Sequence, residues 1–133
     1  VTEDHTYDLM QICDVCLAAS GTATLETAMM ELPTVLLYKV SPITYGIGKM
    51  VVNLTHVGLP NIVAGKEVIP ELLQDDVSVD AIVNTVLPLL DDLQVNQRMR
   101  TELRGVREKL GEPGAVNRVA QLIYNLGKEN IDE

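Results

Sequence analysis

The chain has 133 residues, of which 47% are hydrophobic, and a formal net charge of −9. This length suits one domain, and the apolar content is sufficient for a buried core, which excludes a disordered chain. The acidic balance excludes the cationic surface of a nucleic-acid-binding protein, and no apolar stretch is long enough for a membrane-spanning helix. We attribute the negative charge to solubility.

The first half of the chain predicts alternating helices and strands. The expected elements are a helix at 6–13, a strand at 15–19, a helix at 22–31 and a strand at 34–40. The second helix keeps apolar residues at helical spacing, and Pro33 stops it. Its predicted packed face consists of Leu25, Ala28, Met29 and Leu32. The strand after it is apolar throughout, which is typical of parallel strands covered on both faces, so we expect a right-handed crossover.

The second half predicts mainly helices. The expected elements are a helix at 43–54, an irregular segment at 55–67, a short helix at 68–74, and helices from 79, over 92–110 and from 116. Ser78 is positioned to cap the helix that starts at 79, and Pro88 should kink that helix or end it early. Gly127 should close the last helix.

The predicted helix at 92–110 has an apolar face and a charged face. Its apolar face consists of Met99, Leu103, Val106 and Leu110. Its charged face offers two pairs at i, i+4 spacing, each worth at most a few tenths of a kcal/mol. These pairs are Arg98–Glu102 and Arg104–Glu108.

The sequence predicts only two or three strands but six or seven helices, so the predicted sheet is too small to be complete. The chain also starts at Val1 without a signal-peptide pattern. We therefore expect one domain at 1–127 with a flexible tail at 128–133, cut from a longer α/β protein.

The two cysteines, Cys13 and Cys16, form a C-x-x-C pair. A structural zinc site would need two more ligands, and His5 and His56 do not lie at a suitable spacing. A redox pair would lie at a helix N-terminus, whereas this segment is predicted to be the end of a helix followed by a strand. We predict buried structural thiols, a reducing compartment and no metal site.

The stretch LAASGTATLE places Ser20, Gly21 and Thr22 between a predicted strand and a predicted helix. In α/β sheets ligands bind at the carboxyl ends of strands, where helices begin. The first helical N–H groups are unpaired, and the helix dipole adds partial positive charge there. A glycine lets the backbone approach a ligand, and the two hydroxyls add donors. This turn therefore predicts a phosphate site that needs no lysine.

Glu26 lies one turn deeper, four residues after Thr22 and on the same side of the helix. Since a carboxylate would oppose phosphate binding, we assign it to the vicinal hydroxyls of a ribose. The alternative is a capping-box acid, but its partner would be Ala23, which has no capping side chain. Taken alone, the pattern S-G-T-x-x-x-E has limited specificity.

A second motif, LPNIVAGKEVIPELLQ, covers 59–74. Asn61 offers a donor and an acceptor, Ala64 and Gly65 can expose backbone amides, and Glu67 can bind hydroxyls. The alternative is an ordinary turn and amphipathic helix in which Glu67 and Glu71 are solvated acids. Composition alone favours that alternative.

The two motifs together, followed by EPGAVNRVAQLI, resemble the C-terminal part of the lipid-A-disaccharide synthase family over roughly residues 13–125. The first motif alone is shared loosely with other sugar-nucleotide glycosyltransferases and epimerases. The resemblance implies a GT-B glycosyltransferase fold with two Rossmann-like halves, of which this chain is the C-terminal half: a small parallel sheet flanked by helices, with a helical C-terminal end.

This resemblance also implies an activity. The family transfers diacylglucosamine from its UDP carrier to diacylglucosamine 1-phosphate, inverts the anomeric carbon and releases UDP without a metal or another cofactor. The implied partners are a UDP-sugar donor and, through a missing N-terminal half with the catalytic base, a lipid acceptor. The chain alone should therefore be inactive. The implied location is the cytoplasm, while membrane contact and self-association are left open.

By the same resemblance the UDP-sugar site comprises eight residues. These are Ser20, Gly21, Thr22, Glu26, Asn61, Ala64, Gly65 and Glu67. Lys39 lies at the carboxyl end of the predicted second strand, where the family tends to carry a base, and either neutralises a phosphate or extends over the surface. Glu31 departs from the family, which often has a glycine there to close the helix. The alternatives left open are a MurG-like transferase or UDP-sugar epimerase, and a non-catalytic domain that binds a nucleotide or a partner.

Overall fold

A computed structural model describes residues 5–19, 21–40, 56–111 and 114–129. Its sheet has three parallel strands in the order β1 (Cys16–Ala18), β2 (Thr34–Tyr38) and β3 (Glu71–Leu73). β2 is central and its first three residues are buried, whereas Leu17 on the outer strand β1 is half exposed. The predicted α/β class with a small parallel sheet is confirmed.

Six α-helices surround the sheet in the described part of the chain. They are α1 (Thr6–Ile12), α2 (Gly21–Met29), α3 (Leu59–Ala64), α4 (Val79–Asp91), α5 (Leu93–Leu110) and α6 (Ala115–Glu129). The predictions for α1, α2 and α5 are confirmed to within about two residues at each end. The helix predicted at 43–54 lies outside the described residues.

The helix predicted at 68–74 is wrong. Residues 71–73 form β3, which pairs with 36–38 of β2, and a 3-10 turn follows at Gln74–Asp76. The central strand offers an unpaired edge, and pairing with it overrides the helical preference of glutamate and leucine. The short helix lies earlier, at α3, where Pro60 occupies the first turn and Gly65 ends the helix in a left-handed conformation.

The predicted packed face of α2 is confirmed in part: Ala28 and Leu32 are buried and Leu25 is partly buried, whereas Met29 is exposed. Thr24 and Thr27, which were not predicted, are buried as well. The Thr24 hydroxyl donates to the Gly21 carbonyl at 2.6 Å, and the Thr27 hydroxyl donates to the Thr24 carbonyl at 3.0 Å. The buried hydroxyls are thus satisfied within the helix, and small side chains allow α2 to approach the sheet closely.

The core lies between β2, α2, α5 and the segment before β3. It is aliphatic, as the composition indicates, and consists of Ala28, Leu36, Val68, Ile69, Leu103 and Val106. On the predicted face of α5 two residues are buried, Met99 is partly buried, and Leu110 is exposed. α5 therefore covers the core mainly with its middle turns.

The two long helices of the C-terminal region begin at capping side chains. The Ser78 hydroxyl accepts from the Ala81 N–H at 3.2 Å, as predicted, and Asp92 caps α5 by accepting from the Gln94 N–H at 2.8 Å. α4 continues through Pro88 to Asp91, so the predicted early end is wrong.

α6 runs through Gly127, so the predicted closure at that glycine is wrong. Its apolar residues are largely exposed in the described structure: Val116, Val119, Leu122, Ile123, Tyr124 and Leu126. Of the predicted tail, Lys128 and Glu129 belong to this helix, and 130–133 lie outside the described residues.

The cysteines are free thiols, and the prediction that both are buried is wrong. Cys13 follows α1 and is exposed, while Cys16 begins β1 and is partly buried. Burial, with a smaller effect of the neighbouring Cys13, raises the pKa of Cys16. A raised pKa disfavours the thiolate, which is the reactive form.

The direct salt bridges of α5 reach other elements. Glu102 pairs with Lys66 at 2.6 Å, and Arg104 pairs with Glu31 at 2.8 Å. The two predicted pairs within the helix interact more weakly, since besides Lys66, Arg98 helps to lower the pKa of Glu102, and besides Glu31, Glu108 helps to raise the pKa of Arg104. Glu31 has a φ of 53° and follows α2, where the Leu32 N–H donates to the Thr27 carbonyl at 3.0 Å. This is the Schellman arrangement that favours glycine, and the arginines of α5 hold the glutamate in it.

We expect Glu31→Gln to lower stability at neutral pH by less than about fivefold in the folding equilibrium, as is typical of exposed ion pairs. The hydrogen bond from Arg104 holds the pKa of Glu31 below its usual value. Its stabilising contribution is therefore present above the unfolded pKa of about 4.3 and is lost as the pH falls through the lower folded pKa. Urea denaturation of wild type and variant at several pH values checks this. A difference that persists at pH 2.5 would contradict it.

Candidate functional site

The carboxyl ends of the three parallel strands meet at one side of the sheet, which we call the carboxyl edge. Gly21 begins α2 shortly after β1, Lys39 follows β2, and Gln74 follows β3. Since ligands of open α/β sheets bind outside the carboxyl ends of the strands, this edge is the candidate site.

The start of α2 presents backbone rather than bulky side chains at the carboxyl edge. Thr22 is exposed, and a Cβ atom on Gly21 would meet nothing closer than the Leu59 Cγ at 3.9 Å. The first turn of α2 contains no acidic residue. Its N–H groups and dipole are thus free of a competing carboxylate from that turn. Ser20 lies outside the described residues.

Glu26 lies on the side of α2 opposite the buried Thr24 and Ala28, and on the same side as Thr22. Its side chain is partly buried. Among the described residues no hydrogen bond or ion pair engages its carboxylate, which remains able to accept hydrogen bonds. Lys39 is exposed at the same edge, and its ammonium has no ion-pair partner in the described structure.

The chain entering α3 approaches the start of α2 and is held by a buried carboxylate. Glu71, whose side chain is 7% exposed, accepts from the N–H groups of Val57 and Gly58, both at 2.9 Å. The ring Nδ1 of His56 lies 4.0 Å from the same carboxylate. The alternative in which Glu71 is a solvated acid is wrong. Glu71 is the first residue of β3, and its side chain points into the protein.

Gly58 leaves the space that this arrangement needs. A Cβ atom there would lie 3.1 Å from the Glu71 Oε1 and 3.3 Å from the Leu36 Cδ2. Since the φ of Gly58 is −71°, which any residue adopts, the requirement is for space alone.

Asn61 is fully buried and uses its entire hydrogen-bonding capacity inside the protein. Its Nδ2 donates to the Ile69 carbonyl at 2.8 Å and to Glu71 at 2.7 Å. Its Oδ1 accepts from the N–H groups of Val68 at 2.7 Å and Ile69 at 2.9 Å. A primary amide has two donors and two acceptor positions, so none is left for a ligand in this arrangement.

Ala64, Gly65 and Glu67 lie at the other end of α3. Lys109 of α5 donates to the Ala64 carbonyl at 2.9 Å, and the Gly65 φ of 73° closes the helix. These residues precede β3, so they lie towards the amino ends of the strands, whereas Gly21 and Thr22 follow a carboxyl end. α3, which carries Asn61 and Ala64, packs against α2, while Gly65 and Glu67 follow the far end of α3.

Two further properties concern metals and membranes. Among the described residues, no group of three or more His, Cys, Asp or Glu side chains is arranged to hold a metal ion. In the same residues, no helix combines the length and apolarity needed to cross a membrane.

The fold defines a Rossmann-like α/β unit whose first crossover helix begins at the carboxyl edge. Comparison with known proteins then specifies the family. The chain belongs to the lipid-A-disaccharide synthetase family, whose family model matches residues 1–124.

Curated relatives agree with this assignment. A lipid-A-disaccharide synthase from Geobacter sulfurreducens is 48% identical over 130 residues, which cover 97% of this chain and 34% of the relative. Those from Geobacter metallireducens and Persephonella marina are 45% and 46% identical, over 97% and 91% of this chain and 34% and 32% of each relative. The chain therefore spans about a third of the length of these relatives.

Proposed function

We propose that this chain is the UDP-sugar-binding part of a lipid-A-disaccharide synthase. The enzyme transfers diacylglucosamine from UDP-2,3-diacylglucosamine to 2,3-diacylglucosamine 1-phosphate, with inversion, and releases UDP. The observation that carries the proposal is the start of α2 at the carboxyl edge, with Thr22 exposed and no acidic residue in the first turn, in a chain whose family membership is established.

The start of α2 supplies the chemistry that a departing UDP needs. Negative charge develops on the leaving diphosphate, and fixed N–H donors with a helix dipole stabilise it without reorganisation. Ser20, Gly21 and Thr22 provide these donors, and Lys39 adds a positive charge from the neighbouring strand end. Glu26, one turn deeper and unengaged, accepts hydrogen bonds from the ribose hydroxyls.

The motif at 59–74 acts by positioning in this proposal. Asn61 and Glu71 fix the chain that enters α3 beside Gly21, and the loop with Ala64, Gly65 and Glu67 anchors the far end of α3 to α5. In this proposal the segment from His56 to Leu59 lines the site beside the start of α2. The loop with Ala64, Gly65 and Glu67 does not.

The remaining chemistry is assigned to the other two thirds of such an enzyme. The acceptor lipid and the catalytic base belong there, so we expect the isolated chain to bind donor nucleotide without transferring the sugar. The reaction uses no metal or cofactor in this proposal, and the enzyme works at the cytoplasmic side of the membrane that holds its lipids.

Titration with UDP tests the proposal. Calorimetry on the full-length protein should show saturable binding of UDP, and NMR on the same protein should show shifts at Gly21, Thr22 and Glu26. Adenosine diphosphate is the matched control, because it has the same diphosphate but a different base. Absence of saturable UDP binding, or shifts confined to residues far from the start of α2, would contradict the proposed site.

A further inference from the structure

Gln74, at the carboxyl edge, has two energetically unfavourable features, one in its backbone and one in its side chain. Its φ is 51°, in the left-handed region that residues other than glycine rarely adopt. Its side-chain Nε2 is buried and has no hydrogen-bond partner among the described residues. Buried polar groups are nearly always satisfied in folded proteins, and such strain concentrates at functional sites, so this residue requires an explanation.

The orientation of the Gln74 amide follows from its other contact. The side-chain Oε1 accepts from the Val40 N–H at 3.1 Å. A backbone N–H can only donate, so the atom facing it must be the oxygen and the unpartnered atom must be the NH₂ group. The side chain thus connects the residues that follow β2 and β3. The two N–H donors of its NH₂ group are not used by the described residues.

We propose that Gln74 is a binding residue of the donor site, whose NH₂ group donates to an oxygen of the bound sugar nucleotide. This inference rests on the proposed function. Gln74 directly follows β3, and its partner Val40 is next to Lys39, so the NH₂ group lies at the strand exits beside the cation assigned to phosphate. The acceptor is either a diphosphate oxygen or a hydroxyl of the hexose, since these groups extend along the carboxyl edge from the start of α2.

Gln74→Glu separates ligand binding from the connection between the strands. A carboxylate still accepts from the Val40 N–H but offers no donor to the ligand. Because one carboxylate oxygen takes the buried position of the NH₂ group, we expect the full-length variant to unfold at a somewhat lower temperature than wild type but to remain folded. Its affinity for the donor nucleotide should fall at least about tenfold, through loss of the hydrogen bond and repulsion of the diphosphate. Gln74→Ala, which removes both contacts, should lose the same affinity and also stability.

Affinities for uridine, UMP, UDP and UDP-GlcNAc locate the acceptor oxygen. The ratio of wild-type to Gln74→Glu affinity should stay near one for uridine and rise at the first ligand that contains the acceptor. A rise at UMP or UDP identifies a phosphate oxygen, and a rise only at UDP-GlcNAc identifies the hexose. A ratio near one for all four ligands would overturn the proposal and leave Gln74 as a strand connection only.

Two controls keep this result distinct from other failures. If wild type itself does not bind UDP, the proposed function fails before the variant is measured, and the inference falls with it. If Gln74→Glu does not fold, the side-chain NH₂ resonances of Gln74 in the wild-type protein replace it as the readout. They should shift on saturation with UDP-GlcNAc, and unshifted resonances would overturn the proposal.

Discussion

Asn61→Ala should lower the free energy of unfolding by about 3–5 kcal/mol, because it leaves several buried polar groups without partners. The amide joins the Val68 and Ile69 N–H groups, the Ile69 carbonyl and the Glu71 carboxylate. Glu71 keeps its hydrogen bonds from the Val57 and Gly58 N–H groups. Among the described residues, the Val68 and Ile69 N–H groups and the Ile69 carbonyl have no other hydrogen bond. Chemical denaturation of the full-length protein measures the loss.

Asn61→Ala should also have a local effect, at the chain that enters α3. Because Glu71 accepts from the Val57 and Gly58 N–H groups, loss of its Asn61 partner should loosen the entry to α3. Hydrogen exchange should quicken at those two amides and at Val68 and Ile69. Asn84→Ala is the matched control, since Asn84 is exposed on α4 and should change stability by no more than about 0.5 kcal/mol. A loss below about 1 kcal/mol for Asn61→Ala would show that the cluster does not hold the fold.

The sequence predicted those features that depend on neighbouring residues. The Ser78 cap, the Pro33 stop after α2 and the strand β2 all follow from short-range rules of capping, ring geometry and apolar patterning. The start of α2 at Gly21 was predicted in the same way, as a small-residue turn after an apolar run. These features appear in the structure because no distant partner is needed to decide them.

The features that were missed depend on distant partners. β3 exists because β2 has a free edge, and its residues Glu-Leu-Leu would favour a helix without that edge. Asn61 was assigned to the ligand because its amide offers a donor and an acceptor and because its motif resembles that of the family. Its burial follows from the return of the chain to β3, and a polar residue between apolar neighbours was the available signal for it.

Gln74 illustrates the same limit at the candidate site. Its left-handed backbone and unpartnered donor are properties of its position after β3, and that position was not predicted. The residue ends the motif at 59–74, whose Asn61 is buried and fully hydrogen-bonded inside the protein. Leu59 at the start of the motif and Gln74 at its end both lie near the carboxyl edge.

Thr22→Asp should abolish donor binding while leaving the fold intact. Thr22 is exposed in the first turn of α2, where an acidic residue stabilises a helix by about 0.3–1 kcal/mol through the dipole. The same carboxylate would occupy the field proposed for the diphosphate and repel it. At a separation of about 4 Å near a protein surface, like charges cost up to about 4 kcal/mol, so we expect the affinity for UDP to fall on the order of 100-fold.

Two variants control this prediction, and calorimetry with UDP measures all three. Thr22→Val removes only the hydroxyl and should weaken binding by about three- to tenfold, because the backbone N–H groups remain. Ala115→Asp places the same charge at the start of α6 and should leave UDP affinity unchanged. If Thr22→Asp binds UDP as tightly as wild type, the diphosphate does not lie at the start of α2. An equal loss in Ala115→Asp would instead indicate a general effect of net charge, because that helix start lies outside the proposed site.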